Sequence, residues 1–288
     1  MPNLVFRMVA GILFLILFLT PLLDAVGETA AGVTIPEISL VQQPIPDNEA
    51  MRFLRELGVG WNLGNTFDAI KGSWNANADE MTVEASWCEV YTTREMIQAV
   101  HAAGFSTIRI PVSWHDHVSA DYRISKPWLD RVQEVVDWAI DEGMHVILNT
   151  HHDEDQIYPT QERLGETTAY FTAVWEQIAE RFADYGDALI FESMNEPRLK
   201  GNKDYEWTFN GNAPLCREAA DIINQLNQRF VHIVRASGGN NATRYLMVPG
   251  YCASPYNVGN DFFQLPEDTA ENRIIVSVHA YTPYSFAL

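Results

Sequence analysis

The stretch Ala188-Leu189-Ile190-Phe191-Glu192-Ser193-Met194-Asn195-Glu196-Pro197 joins an apolar run to a carboxylate. The apolar run predicts a buried strand, and Glu196 follows the end of that strand. In parallel α/β barrels the loops at the carboxyl ends of the strands carry the active-site residues, so Glu196 is a candidate acid or base. The alternative is that Glu196 and Pro197 begin the next helix, because acids favour a helix N-terminus and proline favours the first turn.

Segments typical of strands alternate with segments typical of helices from residue 50 onward. We expect six strands, at residues 57–62, 107–111, 145–149, 188–194, 245–249 and 274–278. We expect the intervening helices to begin at a capping box formed by Thr92 and Glu95, at Pro127, near Thr168 and near Pro214. This alternation predicts parallel strands joined by crossover helices, in either a doubly wound sheet or most of a (β/α)₈ barrel. No Gly-x-Gly-x-x-Gly follows the first strand, which argues against the dinucleotide-binding version of the doubly wound sheet.

The beginning of the chain has the pattern of an export signal. Arg7 precedes the apolar run 8–19, and the small residues Ala25 and Gly27 lie where a signal peptidase could cut. We therefore expect a signal peptide at residues 1–27, an extended lead-in at residues 28–47 and a catalytic barrel at residues 48–288. An uncleaved membrane anchor is the alternative for the apolar run. The signal predicts a secreted protein.

Composition narrows the class of partner. The chain has 288 residues, of which 47% are hydrophobic, so it can bury one large core. Its formal net charge of -19 argues against nucleic acid and against anionic membranes, because binding phosphate requires clustered Lys and Arg. A neutral substrate fits this charge better. The three cysteines, Cys88, Cys216 and Cys252, permit at most one internal disulfide.

A polar residue follows the apolar run of each expected strand. In chain order these residues are Asn62 with Asn65, Arg109, His151 with His152, Asn195 with Glu196, Tyr251, and His279 with Tyr281. A single residue of this kind could be a satisfied core hydrogen bond. Six in succession at the same end of the strands predict a functional site there.

Five motifs at these positions carry a resemblance to a known family. They are Gly60-Trp61-Asn62-Leu63-Gly64-Asn65, Arg109-Ile110-Pro111-Val112, Asn149-Thr150-His151-His152, Asn195-Glu196-Pro197 and His279-Ala280-Tyr281. From about Asp47 to Leu288 the chain resembles the family 5 glycoside hydrolases, in particular the branch rich in endo-β-1,4-glucanases. The resemblance implies a (β/α)₈ TIM barrel of the α/β class. About six of its eight strands lie in this sequence, and strands seven and eight do not.

The resemblance also implies roles for the motif residues. Glu196 would be the acid/base that protonates the leaving glycosidic oxygen and then activates water, and Asn195 would hydrogen-bond the sugar 2-hydroxyl. Arg109 and Tyr281 would contact the second catalytic glutamate, the nucleophile. The other residues expected to bind or support the substrate are Asn62, Asn65, Trp87, His151, His152 and His279. Candidate sugar-stacking platforms are Trp61, Trp87 and Trp114, with a core position expected for at least one of them.

The nucleophile of the family follows the seventh strand, and no carboxylate side chain follows Tyr281 in this sequence. We therefore expect the 288-residue chain to have little or no turnover. Glu192 lies four residues before Glu196, which on a strand gives the same facing at a deeper position, so we interpret it as an interior barrel residue. The run Asp153-Glu154-Asp155 is expected to be solvated or to contact sugar. None of these acids is a convincing replacement for the nucleophile.

A metal-dependent barrel hydrolase is an alternative from a different class of enzyme. Its ligands would be His151, His152 and Asp153, together with His115, His117 and His279. Adjacent histidines at a strand end are expected to point to opposite sides and would not readily share one ion. We therefore expect neither a metal nor a cofactor.

The sequence predicts a secreted, retaining endo-β-1,4-glucanase that hydrolyses internal bonds of plant β-glucans. Its partner would be a β-linked polysaccharide, with no nucleic acid and, after signal cleavage, no membrane. The full-length protein is expected to be a monomer. A related hemicellulase (xyloglucanase, lichenase, mannanase or xylanase) is the first alternative, and a non-catalytic sugar-binding remnant is the second.

Overall fold

The computed structural model describes residues 44–77, 79–281 and 284–287. The chain divides into residues 1–45 and residues 46–288, and all elements below belong to the second unit. The expected signal peptide and residues 28–43 of the expected lead-in lie outside the described residues. Residues 44–47 form neither helix nor strand.

Six parallel strands form one sheet in chain order. They are β1 (Gly60–Asn62), β2 (Thr107–Ile110), β3 (His145–Asn149), β4 (Leu189–Glu192), β5 (Leu246–Pro249) and β6 (Ile274–Ser277). A doubly wound sheet reverses its strand order at a switch point, whereas the wall of a barrel keeps the order of the chain. The predicted parallel α/β alternation is confirmed, and the doubly wound alternative is wrong. Among the described residues, β1 and β6 each pair with one neighbour.

The helices lie between and beside these strands. They are α1 (Glu49–Leu57), α2 (Arg94–Ala102), α3 (Lys126–Asp141), α4 (Leu164–Arg181), α5 (Pro214–Ala236), α6 (Pro255–Val258) and α7 (Tyr284–Ala287). Short 3₁₀ turns occur at Glu80–Ala85, His115–His117, Gly239–Ala242 and Tyr251–Ala253. Within the described ranges, no helix has both the length and the apolar character needed to cross a membrane.

The start of α2 corrects the predicted capping box. Thr93, not Thr92, is the N-cap, and its side chain accepts a hydrogen bond from the Met96 backbone N–H at 3.3 Å. Thr92 is buried, and its own N–H donates to Glu84 at 2.8 Å. The prediction was one residue early because both threonines can cap a helix and a tertiary contact decides between them.

Helix α1 was not predicted, although its sequence contains both end signals. Asn48 caps the first turn, since its side chain accepts from the Met51 N–H at 2.9 Å. Gly58 ends the helix with a φ of 58°, a conformation that favours glycine. The expected first strand at residues 57–62 is therefore shorter, because Leu57 still belongs to α1.

Side chains alternate across the sheet and divide the core in two. One set packs against the helices, where α3, α4 and α5 bury their apolar faces. The other set points to the concave side. There Phe53 of α1 packs with Ile147, Ile190 and Tyr245, and its ring stacks on Tyr245 with centroids 3.6 Å apart. Helix α1 thus fills the amino-terminal end of the strands and leaves the opposite end for polar groups.

Arg244 binds the segments that lead into β4 and β5. The residue is 1% exposed, and its guanidinium lies over the Phe191 ring at 4.7 Å. It donates to the side chain of Asn241 and to the carbonyl oxygens of Phe182, Tyr185, Gly186 and Leu189. Burial lowers the pKa of Arg244 to about 10. One side chain therefore joins the end of α4, the start of β4 and the turn before β5.

We expect Arg244→Met to lower the free energy of unfolding by about 3 kcal/mol or more, because several buried carbonyl groups lose their donor together. Arg123→Met is the matched control, since Arg123 has a largely exposed side chain and should change stability by less than about 0.5 kcal/mol. Urea unfolding followed by tryptophan fluorescence measures both variants. Equal midpoints for the two would contradict the role given to Arg244.

Candidate active site

The carboxyl ends of the strands open into a cleft of about 610 Å³. Predicted site residues that line it are Asn62, Arg109, His151, His152, Asn195, Glu196, His279 and Tyr281. Glu192, Met247, Ser277, Val278 and Ala280 complete the lining. Side chains from all six strands, or from the loops that follow them, therefore meet in the cleft. The strand-end pattern predicted this for every strand except β5, which contributes Met247 in place of Tyr251.

A buried ion pair lies at the floor of this cleft. The carboxylate of Glu192 is 1% exposed, and the Arg109 guanidinium contacts its Oε2 through Nη2 at 2.6 Å and through Nε at 2.8 Å. Asn149 donates to Oε2 at 2.8 Å, and Ser277 donates to Oε1 at 2.6 Å. A buried carboxylate without such donors would be costly, so these contacts are what allows Glu192 to remain in the barrel interior.

Arg109 also connects the ion pair to Asn195, the residue directly before the candidate acid Glu196. Its Nη2 donates to Asn195 Oδ1 at 3.0 Å, and its Nη1 donates to Asn62 Oδ1 at 3.0 Å. Because the guanidinium group is planar and rigid, both amides are oriented by the same fork that binds Glu192. The orientation leaves the amide nitrogen of Asn195, directly before Glu196, free of this fork.

Glu196 lies in an irregular loop after β4. No helix begins at Pro197, so the helix-start interpretation of this acid is wrong. His279 Nδ1 lies 2.7 Å from Glu196 Oε1, and Arg198 donates to the Glu196 backbone carbonyl at 3.0 Å. The side chain of Glu196 is 17% exposed, so it is held by its neighbours and still reached from the cleft.

A strained turn after β5 holds two of the neighbouring loops. Cys252 and Ala253 adopt φ values of 56° and 48°, which non-glycine residues rarely do. In this conformation the Cys252 N–H donates to the Pro197 carbonyl at 2.9 Å, and the Ala253 carbonyl accepts from the His279 N–H at 2.8 Å. The turn thus joins the loop of Glu196 to the segment that carries its partner His279.

His151 and His152 correct one geometric expectation. Their rings meet edge to face with centroids 4.6 Å apart, because both residues lie beyond the end of β3, where strand alternation no longer applies. Burial lowers the pKa of His151 well below its usual range, with the positive charge of Arg109 acting in the same direction. His151 is therefore a neutral imidazole at the wall of the cleft.

Asp68, His151 and His152 each bring a possible metal ligand within 4.8 Å of the others. The two carboxylate oxygens of Asp68 accept the backbone N–H groups of Asn65 at 3.1 Å and Thr66 at 2.8 Å. His151 Nδ1 lies 3.2 Å from the amide nitrogen of Asn149. Hydrogen bonds of the protein account for the positions of Asp68 and His151.

Two acids of the expected loop run are buried instead of solvated. Asp153 accepts from the backbone of Trp114, from the backbone and ring of His115, and from Tyr170. Burial alone would lower the pKa of His115, but the hydrogen bond to Asp153 and the charge of Asp153 raise it. Asp153 therefore organises the loop after β2, and the expectation that it is solvated or contacts sugar is wrong.

Glu154 is the second buried acid of this run. It binds Arg198 at 2.8 Å, and His152 lies 3.5 Å away. Burial would raise the pKa of Glu154, but the contacts with His152 and Arg198 outweigh it and lower the pKa to about 2. Asp155, whose side chain is 69% exposed, is the one acid of the run that is solvated as predicted.

Three other predicted residues lie outside the cleft lining. Trp114 is fully buried and donates from its ring nitrogen to the Asn149 carbonyl, as expected of at least one of the tryptophans. Trp61 packs on Phe105, and Tyr251 is buried with its hydroxyl accepting from the Leu199 N–H. None of these three side chains therefore lines the cleft.

Asn65 and Trp87 lie beside the cleft. Asn65 is exposed on the turn that Asp68 caps, with a φ of 61°. Trp87 is half-buried, and its ring centroid is 5.7 Å from that of His152. Trp87 therefore touches the site through His152.

Trp207 is an aromatic residue that the sequence analysis missed. It is 62% exposed, and the Arg198 guanidinium stacks over its ring at 4.1 Å. Arg198 also holds the Glu196 carbonyl, so this ring is fixed relative to the candidate acid. No motif contains Trp207, and its relation to Glu196 depends on the fold of the loop between them.

All three cysteines are free thiols. Cys216 is buried, and Cys88 and Cys252 are partly buried. Burial raises the pKa of Cys252 to about 12, so its thiol stays protonated beside the loop of Glu196.

Comparison with known proteins shows the family to which the chain belongs. The sequence profile of the cellulase family, glycosyl hydrolase family 5, matches residues 71–288. Over 268 residues the chain is 43% identical to Endoglucanase B of Ruminococcus albus, a match that covers 92% of this chain and 61% of that relative. The chain spans 50% to 63% of the length of three curated endoglucanases that it matches.

Solved structures give the same result. A mutant of the family 5 lichenase from Caldicellulosiruptor sp. F32, in complex with cellotetraose, is similar with a TM-score of 0.81 at 50% identity, covering 88% of this chain and 68% of that one. A broad specificity endoglucanase from Ruminococcus champanellensis with bound cellotriose is similar with a TM-score of 0.76 at 45% identity, covering 84% and 69%.

A parallel barrel wall with an accessible glutamate and a polar cleft at the carboxyl ends of its strands defines the class of barrel glycoside hydrolases. Within that class, the chain belongs to glycosyl hydrolase family 5, as the profile match and the 43% identity to an endoglucanase show. The fold class and the family predicted from the five motifs are confirmed.

We expect Glu192→Gln to lower the free energy of unfolding by about 3 kcal/mol, because it leaves the partly buried Arg109 charge without its counterion. Glu206→Gln is a matched control, since Glu206 lies 3.5 Å from Arg198 with a 26% exposed side chain and should cost less than about 1 kcal/mol. Chemical denaturation of the three proteins measures the difference. A loss for Glu192→Gln no larger than that of the control would show that the pair does not stabilise the site.

Proposed function

We propose that the protein is a retaining endo-β-1,4-glucanase in which Glu196 is the acid/base. The contact that supports this most directly is the 2.7 Å hydrogen bond between Glu196 and His279 at the open end of the cleft. Membership of family 5, with endoglucanases among the similar proteins, sets the reaction class.

In the proposed reaction, protonated Glu196 gives its proton to the leaving glycosidic oxygen. The same carboxylate then takes a proton from the water that releases the sugar. Asn195, whose carbonyl oxygen is bound by Arg109, presents its amide nitrogen to the sugar 2-hydroxyl. Tyr281 and His151 line the wall where the reacting sugar would lie.

Retention requires a second carboxylate about 5 Å from the first, to act as the nucleophile. Among the described residues, Glu192 is the other carboxylate of the cleft lining, and four donor contacts occupy it. We propose that the nucleophile is a glutamate that this 288-residue sequence does not contain. Arg109 and Tyr281 would contact it in the complete site.

The substrate proposed is an unbranched β-1,4-linked glucan. The lichenase structure with cellotetraose and the endoglucanase structure with cellotriose support a cello-oligosaccharide in this cleft. The net charge of -19 is compatible with a neutral polysaccharide. A hemicellulase is the second candidate, favoured by the names lichenase and broad specificity endoglucanase among these relatives.

We also propose that the protein is secreted and that the complete enzyme is a monomer. Secretion is supported by the charged, apolar and small-residue regions in residues 1–27. Detection of the mature protein in culture medium, with its N-terminus near Glu28, tests secretion. Sedimentation of the complete protein tests the monomer.

We expect the purified 288-residue chain to bind cellotetraose and to release few or no reducing ends from soluble cellulose, because the binding wall is present without the nucleophile. Calorimetry measures binding, and a reducing-sugar assay measures turnover. Glu196→Gln is the control, and it should bind with an affinity within a few-fold of the parent. Robust turnover by the chain would contradict the assignment of the nucleophile, and a lack of binding would contradict the substrate class.

In a longer protein that supplies the nucleophile, Glu196→Gln should lower kcat by at least about 100-fold, the typical contribution of a general acid or base. Proton NMR of the first product of the unmodified enzyme should show the β-anomer. The α-anomer as first product would establish inversion and exclude the proposed mechanism.

A further inference from the structure

The side-chain amide of Asn149 has one orientation that satisfies its surroundings. Its Oδ1 accepts the backbone N–H of Val112 at 3.2 Å, and its Nδ2 donates to Glu192 Oε2 at 2.8 Å. Reversing the amide would place two donors against each other at Val112 and an oxygen against the carboxylate at Glu192. The hydrogen-bond partners therefore assign the nitrogen and the oxygen of this buried amide.

The second hydrogen of this amide points to His151. Asn149 Nδ2 lies 3.2 Å from His151 Nδ1. A protonated Nδ1 would bring two N–H groups together, so Nδ1 must carry the lone pair that accepts this hydrogen. In a neutral imidazole the proton then resides on Nε2.

We infer that Asn149 is a positioning residue that fixes His151 as the neutral Nε2–H tautomer, so that His151 presents a hydrogen-bond donor to a sugar hydroxyl oxygen in the cleft. The tautomer follows from contacts within the protein, and its use in sugar binding rests on the proposed function. Within the described part of the chain, the other ring nitrogen of His151 has no hydrogen-bond partner, which leaves it for a ligand.

The buried ion pair between Glu192 and Arg109 sets the orientation of the Asn149 amide. Glu192 is held by Arg109 and Ser277, and its Oε2 in turn determines which end of the Asn149 amide faces it. Burial and the charge of Arg109, which lower the pKa of His151, keep the ring neutral. A charged imidazole would have a proton on Nδ1 and would lose the Asn149 contact. The chain of contacts therefore selects both the tautomer and the charge of His151.

Long-range ¹H–¹⁵N correlation spectra of the 288-residue chain test the inference directly, with His151→Gln used to assign the signal. We expect one ring nitrogen of His151 to have a pyridine-type shift at Nδ1 and the other a pyrrole-type shift at Nε2. The signal should stay unchanged between about pH 5 and pH 8, the range in which an ordinary imidazole changes its charge. The Nδ1–H tautomer, or titration of His151 within that range, would overturn the inference.

In the variant Asn149→Ala, we expect His151 to lose its preference for the Nε2–H tautomer. We expect the two ¹⁵N shifts of His151 to move toward each other as the tautomers mix, and the affinity for cellotetraose to fall about 3- to 10-fold, as expected for one hydrogen bond. Thr150→Val is the matched control, because Thr150 is equally buried and donates to the Ser193 carbonyl at 2.8 Å. The control should leave the His151 spectrum and the affinity unchanged. An unaltered His151 spectrum in folded Asn149→Ala would contradict the positioning role, and should that variant not fold, the tautomer of the unmodified chain decides the question.

If the chain binds cellotetraose but His151 is the Nδ1–H tautomer, the positioning role is wrong and the substrate class stands. If His151 is the Nε2–H tautomer but no oligosaccharide binds, the tautomer assignment stands and the donor role toward sugar is wrong.

Discussion

The buried ion pair between Glu192 and Arg109 is the constraint on which the cleft depends. A carboxylate that is 1% exposed must find donors within the protein, and here each donor comes from a different strand. Arg109 belongs to β2, Asn149 to β3 and Ser277 to β6, while Glu192 itself ends β4. A shift of one strand by one residue would turn its side chain away from Glu192, and a shift by two would move it out of hydrogen-bond reach, so satisfying one carboxylate aligns four strands at once. The same guanidinium then orients Asn195 and Asn62, so the alignment extends to the residues that face the substrate.

The interior of the barrel wall is apolar at the amino-terminal ends of the strands and polar at their carboxyl ends. At the amino-terminal ends of the strands, Phe53 of α1 closes an apolar cluster with Ile147, Ile190 and Tyr245. Glu192 lies two residues after Ile190 on β4 and therefore faces the same side of the sheet. The polar region of the interior begins at Glu192. The apolar plug and the satisfied ion pair together give a rigid floor, and Glu196 is placed above it by His279 and by the backbone contact from Arg198. A rigid floor is what an acid/base requires, because its proton must reach one oxygen of a bound sugar.

Sequence patterns predicted the parts of this molecule that local forces determine. Apolar runs located all six strands, because a short continuous hydrophobic run in an alternating α/β chain indicates a buried strand. The bounds of β3 were those expected. Motif order then located the cleft residues. Apart from helix α1 and the facing of His151 and His152, the errors concern contacts between distant positions. Asp153 is buried because His115, 38 residues earlier, and Tyr170 bind it, and Glu154 is buried because Arg198, 44 residues later, binds it. A loop acid carries no local sign of such partners. Trp207 was missed for the same reason, since its stacking on Arg198 exists only after the loop has folded.

We propose that the strand-end cleft binds a β-linked oligosaccharide with its scissile bond at Glu196. The decisive measurement is a crystal structure of the Glu196→Gln chain soaked with cellotetraose, because the substitution keeps the shape of the side chain and removes its acid function. We expect a glycosidic oxygen within hydrogen-bond distance of residue 196 and a sugar 2-hydroxyl at the amide of Asn195. An oligosaccharide bound outside the cleft, or in the cleft with no glycosidic oxygen near residue 196, would contradict it.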